Sequence, residues 1–112
     1  MIESYSFGEI KINGKEYADD VIILPDRVRD GWWRKEGHKL SIEDLKEVIE
    51  AKPETLIVGT GYYGFMKVPN EVKEHLMSMK IQLIIEGTKE ACKTYNRLVS
   101  TKNIVAAFHL TC

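Results

Sequence analysis

The feature that most constrains the fold is an alternation of short apolar runs with helical stripes after residue 55. Residues 56–58 (Leu-Ile-Val) form a run of strand length, and β-branched apolar runs follow at 81–85 and 104–110. The run at 81–85 is apolar apart from Gln82 and predicts a strand buried on both faces. Three runs separated by helical segments predict a β-α-β-α-β half with parallel strands and right-handed crossovers.

The two segments between these runs carry apolar side chains at helical spacing. The first helix is expected to begin at Pro69, because a missing N–H group is tolerated at a helix start. Thr88 is in the right place to cap the second helix. The residues expected to face the core are Val72, Leu76 and Met79 in the first helix and Ala91, Tyr95, Leu98 and Val99 in the second.

The N-terminal half predicts antiparallel structure. Asn13-Gly14 lies between alternating residues and predicts a β-hairpin, since both positions tolerate positive φ. Ile10 and Ile12 should face one side of it. Residues 1–20 are therefore expected to form an extra β layer, and the central sheet is expected to be mixed. Residues 21–24 read as a buried strand that Pro25 stops.

Residues 28–34 are compatible with a strand interrupted by Gly31. Ser41 then predicts a helix start, with Asp44 three residues later in the capping-box position, and Pro53 ends that helix. The apolar stripe of this helix is Ile42, Leu45, Val48 and Ile49. The whole chain, residues 1–112, is expected to form a single α/β domain.

Composition indicates an ordinary globular protein. Hydrophobic residues make up 44% of the chain, charged residues 29%, and the net charge is -1. Such a balance provides no global attraction for nucleic acid, so nucleic-acid binding is not expected. No apolar run approaches the roughly 20 residues of a membrane span. Cys92 and Cys112 predict reduced thiols, and we expect a cytoplasmic protein without cofactor or metal.

The glycine loop after the first buried strand offers three interpretations. Residues 59–64 fit G-x-G-x-x-G, and Glu86 lies where a ribose-binding acid would sit in a dinucleotide site. That site needs a helix beginning within the motif, yet four residues separate the third glycine from Pro69. The second interpretation is a tight turn with positive φ. The third is an anion site built from loop N–H groups and Lys67.

The segment at 32–39 combines aromatic and basic residues. Trp32, Trp33, Arg34, Lys35, His38 and Lys39 could bind an anionic ligand, although acidic neighbours offset their charge. Adjacent residues of an extended chain point to opposite faces, so one tryptophan is expected in the core. The other is expected at an interface, where tryptophan is enriched.

The histidines and cysteines do not assemble into a catalytic set. His38 follows a glycine in a loop and is the best general-base candidate by residue type. His75 is expected at a helix surface. His109 and Cys112 could form half of a metal site, but no second pair completes it.

Three stretches together resemble a known family. They are D-V-I-I-L-P-D-R-V-R…W-W-R-K-E-G-H-K-L at 20–40, L-I-V-G-T-G…K-V-P at 56–69 and T-K-E-A…Y-N-R-L-V…V-A-A-F-H-L-T-C at 88–112. The chain is similar to the adipogenesis-associated Mth-type domain family, which shares its domain with a mitochondrial complex I assembly factor. The resemblance implies a three-layer β+β/α fold with a mixed central sheet and a β-hairpin layer. It implies no reaction, but it suggests a pocket near the glycine loop.

Two functional hypotheses remain open at this stage. The first is a non-enzymatic binding, assembly or regulatory module, monomeric or homodimeric, with an exposed apolar patch that includes Trp32 or Trp33. The second is a protein or enzyme that binds a small anion or nucleotide. Its expected ligand-binding residues are Arg34, His38, Gly59, Thr60, Gly61 and Lys67.

Overall fold

The computed structural model describes all 112 residues and contains two β-sheets and three α-helices. A three-stranded sheet forms from the N-terminal residues, and a five-stranded sheet forms the centre of the domain. A 3₁₀ turn at Ile42–Leu45 precedes the first helix. The elements are β1 (Ile2–Ser6), β2 (Glu9–Ile12), β3 (Lys15–Tyr17), β4 (Val21–Ile23), β5 (Val28–Asp30), α1 (Lys46–Ala51), β6 (Thr55–Thr60), α2 (Asn70–Ser78), β7 (Gln82–Glu86), α3 (Thr88–Leu98) and β8 (Ile104–His109).

The central sheet has the strand order β5-β4-β8-β6-β7 and is mixed, as expected from the sequence. Strands β7, β6 and β8 run parallel, whereas β4 is antiparallel to β8 and β5 is antiparallel to β4. Every residue of β6 and β8 is buried, because these strands occupy the centre. The predicted α/β fold class, with its β-α-β-α-β half, is confirmed.

The position of strand β7 in the sheet differs from the sequence-based prediction. Its apolar run led us to expect a strand buried on both faces, but β7 lies at the edge of the sheet. Gln82 and Ile85 are exposed and no residue of the strand is fully buried. The hydrophobicity of the run reflects packing of Leu83 and Ile84 against opposite faces of the sheet, not a central position.

The N-terminal sheet forms a separate layer that covers α3 and one face of the central sheet. Asn13 and Gly14 have φ values of 49° and 84°, so the predicted hairpin turn is confirmed. Ile10 and Ile12 are buried together, as expected, with Phe108 of β8 and Tyr95 of α3. Strand β1 lies within the β layer expected from residues 1–20 and extends the hairpin to three strands.

The core consists of two apolar clusters, one on each face of the central sheet. The cluster on the α1 and α2 side includes Trp32, Leu45, Val72 and Leu76. The other cluster joins α3 and the N-terminal sheet to β8. Alternate residues of β8 face alternate clusters, so Val105 and Ala107 belong to the first.

Several predicted boundaries move slightly. Ser41 and Asp44 form the predicted capping box, and Pro53 follows the end of α1. Gly87, rather than Thr88, occupies the N-cap position of α3. Met79 lies just beyond α2 and is exposed, so it does not extend the apolar stripe of that helix. Strand β5 ends at Asp30, well before Arg34.

Candidate functional site at the carboxyl ends of the parallel strands

The candidate site lies where the central parallel strands end. Thr60 of β6 pairs with His109 of β8, and Val21 of β4 pairs with Phe108. Asp20, one residue before β4, is therefore opposite His109 on the α1 and α2 face. The carboxyl ends of adjacent parallel strands are where open α/β sheets commonly bind ligands.

Asp20, Arg34 and His109 form a polar cluster at this position. The Asp20 Oδ2 atom lies 2.8 Å from Arg34 Nη1 and 2.8 Å from His109 Nδ1. The Leu110 amide donates a 2.7 Å hydrogen bond to Asp20 Oδ1. The Arg34 and His109 side chains are only 5% and 6% exposed. One carboxylate thus accepts two hydrogen bonds and forms an ion pair with Arg34 inside the domain.

The surroundings of Asp20 keep its carboxyl ionised. Burial alone would raise the pKa, but hydrogen bonds from His109, the Leu110 amide and Arg34 lower it below its ordinary value. Arg34 is held just as firmly. Its guanidinium lies 4.8 Å from the centre of the Trp32 ring and also donates to the Gly37 carbonyl. The positive charge of Arg34 is therefore committed to contacts within the protein.

The contacts of His109 determine where its ring carries a proton. A carboxylate only accepts, so the short contact with Asp20 requires a proton on Nδ1. The Arg34 Nη2 atom, 2.9 Å from the same nitrogen, then finds its acceptor in Gly37. The Nε2 atom of His109 is buried and has no hydrogen-bond partner. In the neutral ring, Nε2 is a free acceptor next to an anchored carboxylate.

A crevice of about 260 Å³ opens beside this cluster. Its walls include Asp19, Asp20, Arg34 and His109, with Trp33 and Thr111 at the edge. A larger crevice, of about 360 Å³, lies at the opposite end of β4, beside the ion-paired side chains of Arg27 and Glu47. Of these two crevices, the one at Asp20 combines a buried polar cluster with the carboxyl ends of β6 and β8.

The glycine loop after β6 is bound to the end of the chain. The amides of Tyr62 and Phe65 donate to the carbonyls of Thr111 and Cys112, at 2.6 and 3.0 Å. The Gly61 amide donates to Thr88 Oγ1, and that hydroxyl donates in turn to the His109 carbonyl. These amides have acceptors within the fold, so they do not form an open cradle for an anion. Helix α2 begins only at Asn70, which also removes the basis for a dinucleotide site.

Close packing explains why the loop has glycine at Gly59 and at Gly61. A Cβ atom on Gly59 would lie 2.8 Å from both Phe108 Cδ1 and Thr88 Oγ1. Gly61 has a φ of +109°, and a Cβ there would lie 2.6 Å from the Thr111 carbonyl oxygen. These contacts fit the tight-turn interpretation. The Glu86 carboxylate accepts a hydrogen bond from Thr94 of α3.

The structure brings together only some of the residues nominated from the sequence. His38 is exposed, and the centre of its ring lies 5.9 Å from that of His109. Lys67 is exposed and donates its amide to the His38 carbonyl at 2.7 Å. Lys67, Gly59, Thr60 and Gly61 are not part of the crevice wall, which Arg34 does line. A ligand-binding role for these residues stays a prediction.

The two tryptophans separate as the sequence led us to expect. Trp32 is buried and its indole N–H donates to the Asp44 carbonyl at 2.9 Å. Trp33 is 81% exposed and lines the crevice. His75 is at a helix surface, as expected. No group of His, Cys, Asp and Glu side chains in the structure could hold a metal ion, and neither cysteine is in a disulfide.

An aromatic cluster next to the crevice was not foreseen. The rings of Phe7, Tyr62, Tyr63 and Phe65 follow one another with centres 5.2 to 6.0 Å apart. All four side chains are 48% to 61% exposed. Phe7 comes from the β1–β2 turn, and the others come from the glycine loop. We call these four residues the aromatic cluster.

Together these features define a small mixed α/β domain with a polar crevice and an aromatic surface at one end of its sheet. Residues 2–110 match the family described as "Protein of unknown function (DUF498/DUF598)". The chain belongs to this family. None of its helices has the length and apolar character needed to cross a membrane.

Comparison with individual proteins agrees with this assignment. NADH dehydrogenase [ubiquinone] 1 alpha subcomplex assembly factor 3 of Danio rerio is 32% identical over 110 residues, which are 96% of this chain and 62% of that protein. The chain thus spans less than two thirds of this relative. The conserved hypothetical protein PH1505 from Pyrococcus horikoshii OT3 superposes with a TM-score of 0.88 at 34% identity, covering 100% of this chain and 99% of that one.

The structure of MT938 superposes with a TM-score of 0.82 at 27% identity and covers 100% of this chain and 98% of that one. These findings confirm the Mth-type resemblance seen in the sequence motifs, including the domain shared with a complex I assembly factor.

Proposed function

We propose that this chain is an assembly module that binds a protein partner through its aromatic cluster. The observation that carries the proposal is the exposure of four adjoining aromatic rings on two loops. Aromatic residues supply much of the binding energy at protein interfaces, and a contiguous apolar patch is a common sign of one. Because these four side chains are about half exposed, they contribute little to the stability of the domain.

The relatives support the same class of function. An assembly factor acts by binding other proteins, and the Danio rerio relative is named as one. We propose that the domain shared with that relative has kept a protein-binding role. The partner of this chain is a separate question, since the chain spans 62% of that relative.

The polar cluster supports a binding role rather than catalysis. The Asp20 carboxylate pairs with Arg34 and accepts a hydrogen bond from His109, and no serine, threonine or cysteine side chain hydrogen-bonds to His109 Nε2. We further propose a cytoplasmic location, which the two unpaired cysteines support.

Copurification tests the proposal. A tagged chain would be expressed in its native cells beside a triple variant, Phe7→Ser, Tyr63→Ser and Phe65→Ser. The control carries Met77→Ser and Met79→Ser, which change two exposed apolar residues on the α2 segment. Losing three interface aromatics should lower the yield of a specific partner at least about tenfold. Equal recovery by the triple variant and the control would refute the proposed surface.

A second candidate function is binding of a small anion beside the crevice. The exposed His38 and Lys67 support it, because a backbone hydrogen bond holds their two segments together. Thermal unfolding against phosphates, nucleotides and carboxylates would test it, with Lys67→Ala alongside. A ligand at 100 times its dissociation constant adds about 2.7 kcal/mol to the free energy of unfolding. No shift for any compound would remove this candidate.

A further inference from the structure

We propose that the crevice at Asp20 receives a cationic side chain, an arginine or lysine of the partner protein. This inference rests on the proposed function and adds the chemistry of the partner. It also reverses the sign of charge that the basic segment at 32–39 first indicated.

The charge that the crevice presents to solvent is negative. Asp19 is exposed in its wall and has no hydrogen-bond or ion-pair partner in the chain. Arg34, the positive residue of the wall, has a side chain that is almost wholly buried against Asp20 and Trp32. Within the wall, an incoming group therefore meets the free carboxylate of Asp19 before the buried guanidinium of Arg34, which favours a cation.

The wall also offers an aromatic ring and an unused acceptor. The indole of Trp33 is exposed at the edge of the crevice, where a cation can lie against its face. His109, buried in the wall, has an Nε2 atom without a partner. Because its Nδ1 proton points to Asp20, the neutral ring has a vacant acceptor at Nε2, which is covered in the free chain and can be reached only after a small shift of the wall. Guanidinium and ammonium groups supply donors and no acceptors, so they match this wall.

The size of the crevice limits what can enter. At about 260 Å³ it is smaller than the roughly 300 to 1,000 Å³ of pockets that hold drug-sized ligands. The end of one long side chain is a better match to this space than a nucleotide.

The crevice and the aromatic cluster adjoin at Thr111. Thr111 lines the crevice, and its carbonyl accepts the Tyr62 amide of the aromatic cluster. A Cβ atom on Gly8, next to Phe7, would lie 3.8 Å from Thr111 Cγ2. A partner segment with apolar residues over the cluster can therefore place a neighbouring basic residue in the crevice.

The test uses ethylguanidinium as a probe of the crevice and the Trp33 indole N–H as reporter in ¹H–¹⁵N spectra. We expect ethylguanidinium to shift the Trp33 indole signal, with a dissociation constant on the order of 10 mM, and to leave the Trp32 signal in place. Asp19→Asn should weaken this binding about fivefold. The control, Asp30→Asn, removes an exposed carboxylate that does not line the crevice, and it should bind as the native chain does.

Two results would overturn the inference. One is a Trp33 shift with inorganic phosphate but none with ethylguanidinium. The other is equal ethylguanidinium binding by Asp19→Asn and the native chain. The proposed function fails separately, since it depends on copurification by the aromatic variants. If Asp19→Asn recovers the partner fully while the triple aromatic variant loses it, the protein-binding function stands and the cation site falls.

Discussion

The aromatic cluster and the Asp20–Arg34–His109 cluster lie at the same end of the sheet but are opposite in character. The aromatic cluster is apolar and about half exposed, whereas the polar cluster is charged and almost buried. This inverts the usual distribution, in which apolar residues are inside and charges face water. The polar cluster holds the sheet end together, and the aromatic cluster is left for an external partner.

The strand pairing and the loop positions explain how each cluster arises. Asp20 and His109 are next to each other because β4 and β8 pair, and their side chains share a face with buried apolar residues. The aromatic rings stand on a turn and a loop, where their backbone is anchored but their side chains have no layer above them. The position on the sheet, rather than residue type, decides which side chains are free to bind.

The largest expected contrast is between the two tryptophans. Trp32→Ala should lower the free energy of unfolding by about 4 kcal/mol, because it empties a buried site and leaves the Asp44 carbonyl without its donor. Trp33→Ala should change it by less than about 0.5 kcal/mol. Urea unfolding followed by circular dichroism would measure both. Similar losses for the two variants would show that Trp33 is also structural.

The next contrast is between the two neighbouring aspartates. Asp20→Asn leaves Arg34 and His109 without their anion and should cost about 3 kcal/mol at neutral pH. Asp19→Asn, its matched control, should cost less than about 0.5 kcal/mol. Urea unfolding at neutral pH compares them, and equal stability of the two variants would mean that the polar cluster does not support the fold.

The contribution of Asp20 to the free energy of unfolding should also depend on pH. Hydrogen bonding lowers the pKa of Asp20 in the folded state, so the unfolded chain binds this proton more readily. The stabilisation is therefore fully present above the ordinary value of 3.8 and is lost as pH falls through the lowered pKa. Urea unfolding of the native chain and of Asp20→Asn between neutral and acid pH should show the two converging. A gap that stays constant to the lowest pH would contradict this role of Asp20.

A smaller effect is expected at the link between the two clusters. Thr88 Oγ1 accepts from the Gly61 amide and donates to the His109 carbonyl. Thr88→Val should cost about 2 kcal/mol, because it leaves a buried amide without an acceptor. Thr88→Ser keeps the hydroxyl and should cost about 1 kcal/mol or less. Thermal unfolding distinguishes them, and a serine variant as unstable as the valine variant would mean that the methyl group contributes as much to stability as the hydroxyl hydrogen bonds.

The smallest effect concerns the proton on His109. Long-range ¹H–¹⁵N spectra of the neutral ring should show a protonated Nδ1 and a bare Nε2, with the pattern lost in Asp20→Asn. His75, which is exposed on α2, provides the comparison. A proton on Nε2 with a bare Nδ1 would mean that Arg34 donates to this ring, and the acceptor in the crevice would be absent.

The sequence was sufficient for most of the fold, because the C-terminal half has clear periodicity. Apolar runs at 56–58 and 104–110 correctly predicted the central strands, and Asn13-Gly14 correctly predicted the hairpin turn. Strand β7 was misplaced, since an apolar run does not encode whether its strand is central or at an edge. Strand β1 lies in the β layer expected from residues 1–20, but its bounds were not assigned, because only Ile2 among its residues is fully buried.

The candidate site was harder to foresee. Arg34 was nominated by its charge, but its partner Asp20 was not, and their partner His109 is 89 residues from Asp20 in sequence. Only the pairing of β4 with β8 brings these residues together. The aromatic cluster joins Phe7 to a loop more than fifty residues away, and no local pattern indicates that contact.

Site-specific photocrosslinking in native cells tests most directly whether the aromatic cluster binds a partner protein. Benzoylphenylalanine would replace Tyr63 in the aromatic cluster or Met77 on α2, which is somewhat more exposed than Tyr63. If the aromatic cluster binds a partner, position 63 yields a discrete crosslinked protein that position 77 does not, and Phe7→Ser together with Phe65→Ser reduces it. Crosslinking to the same proteins from both positions, or only from position 77, would contradict the account.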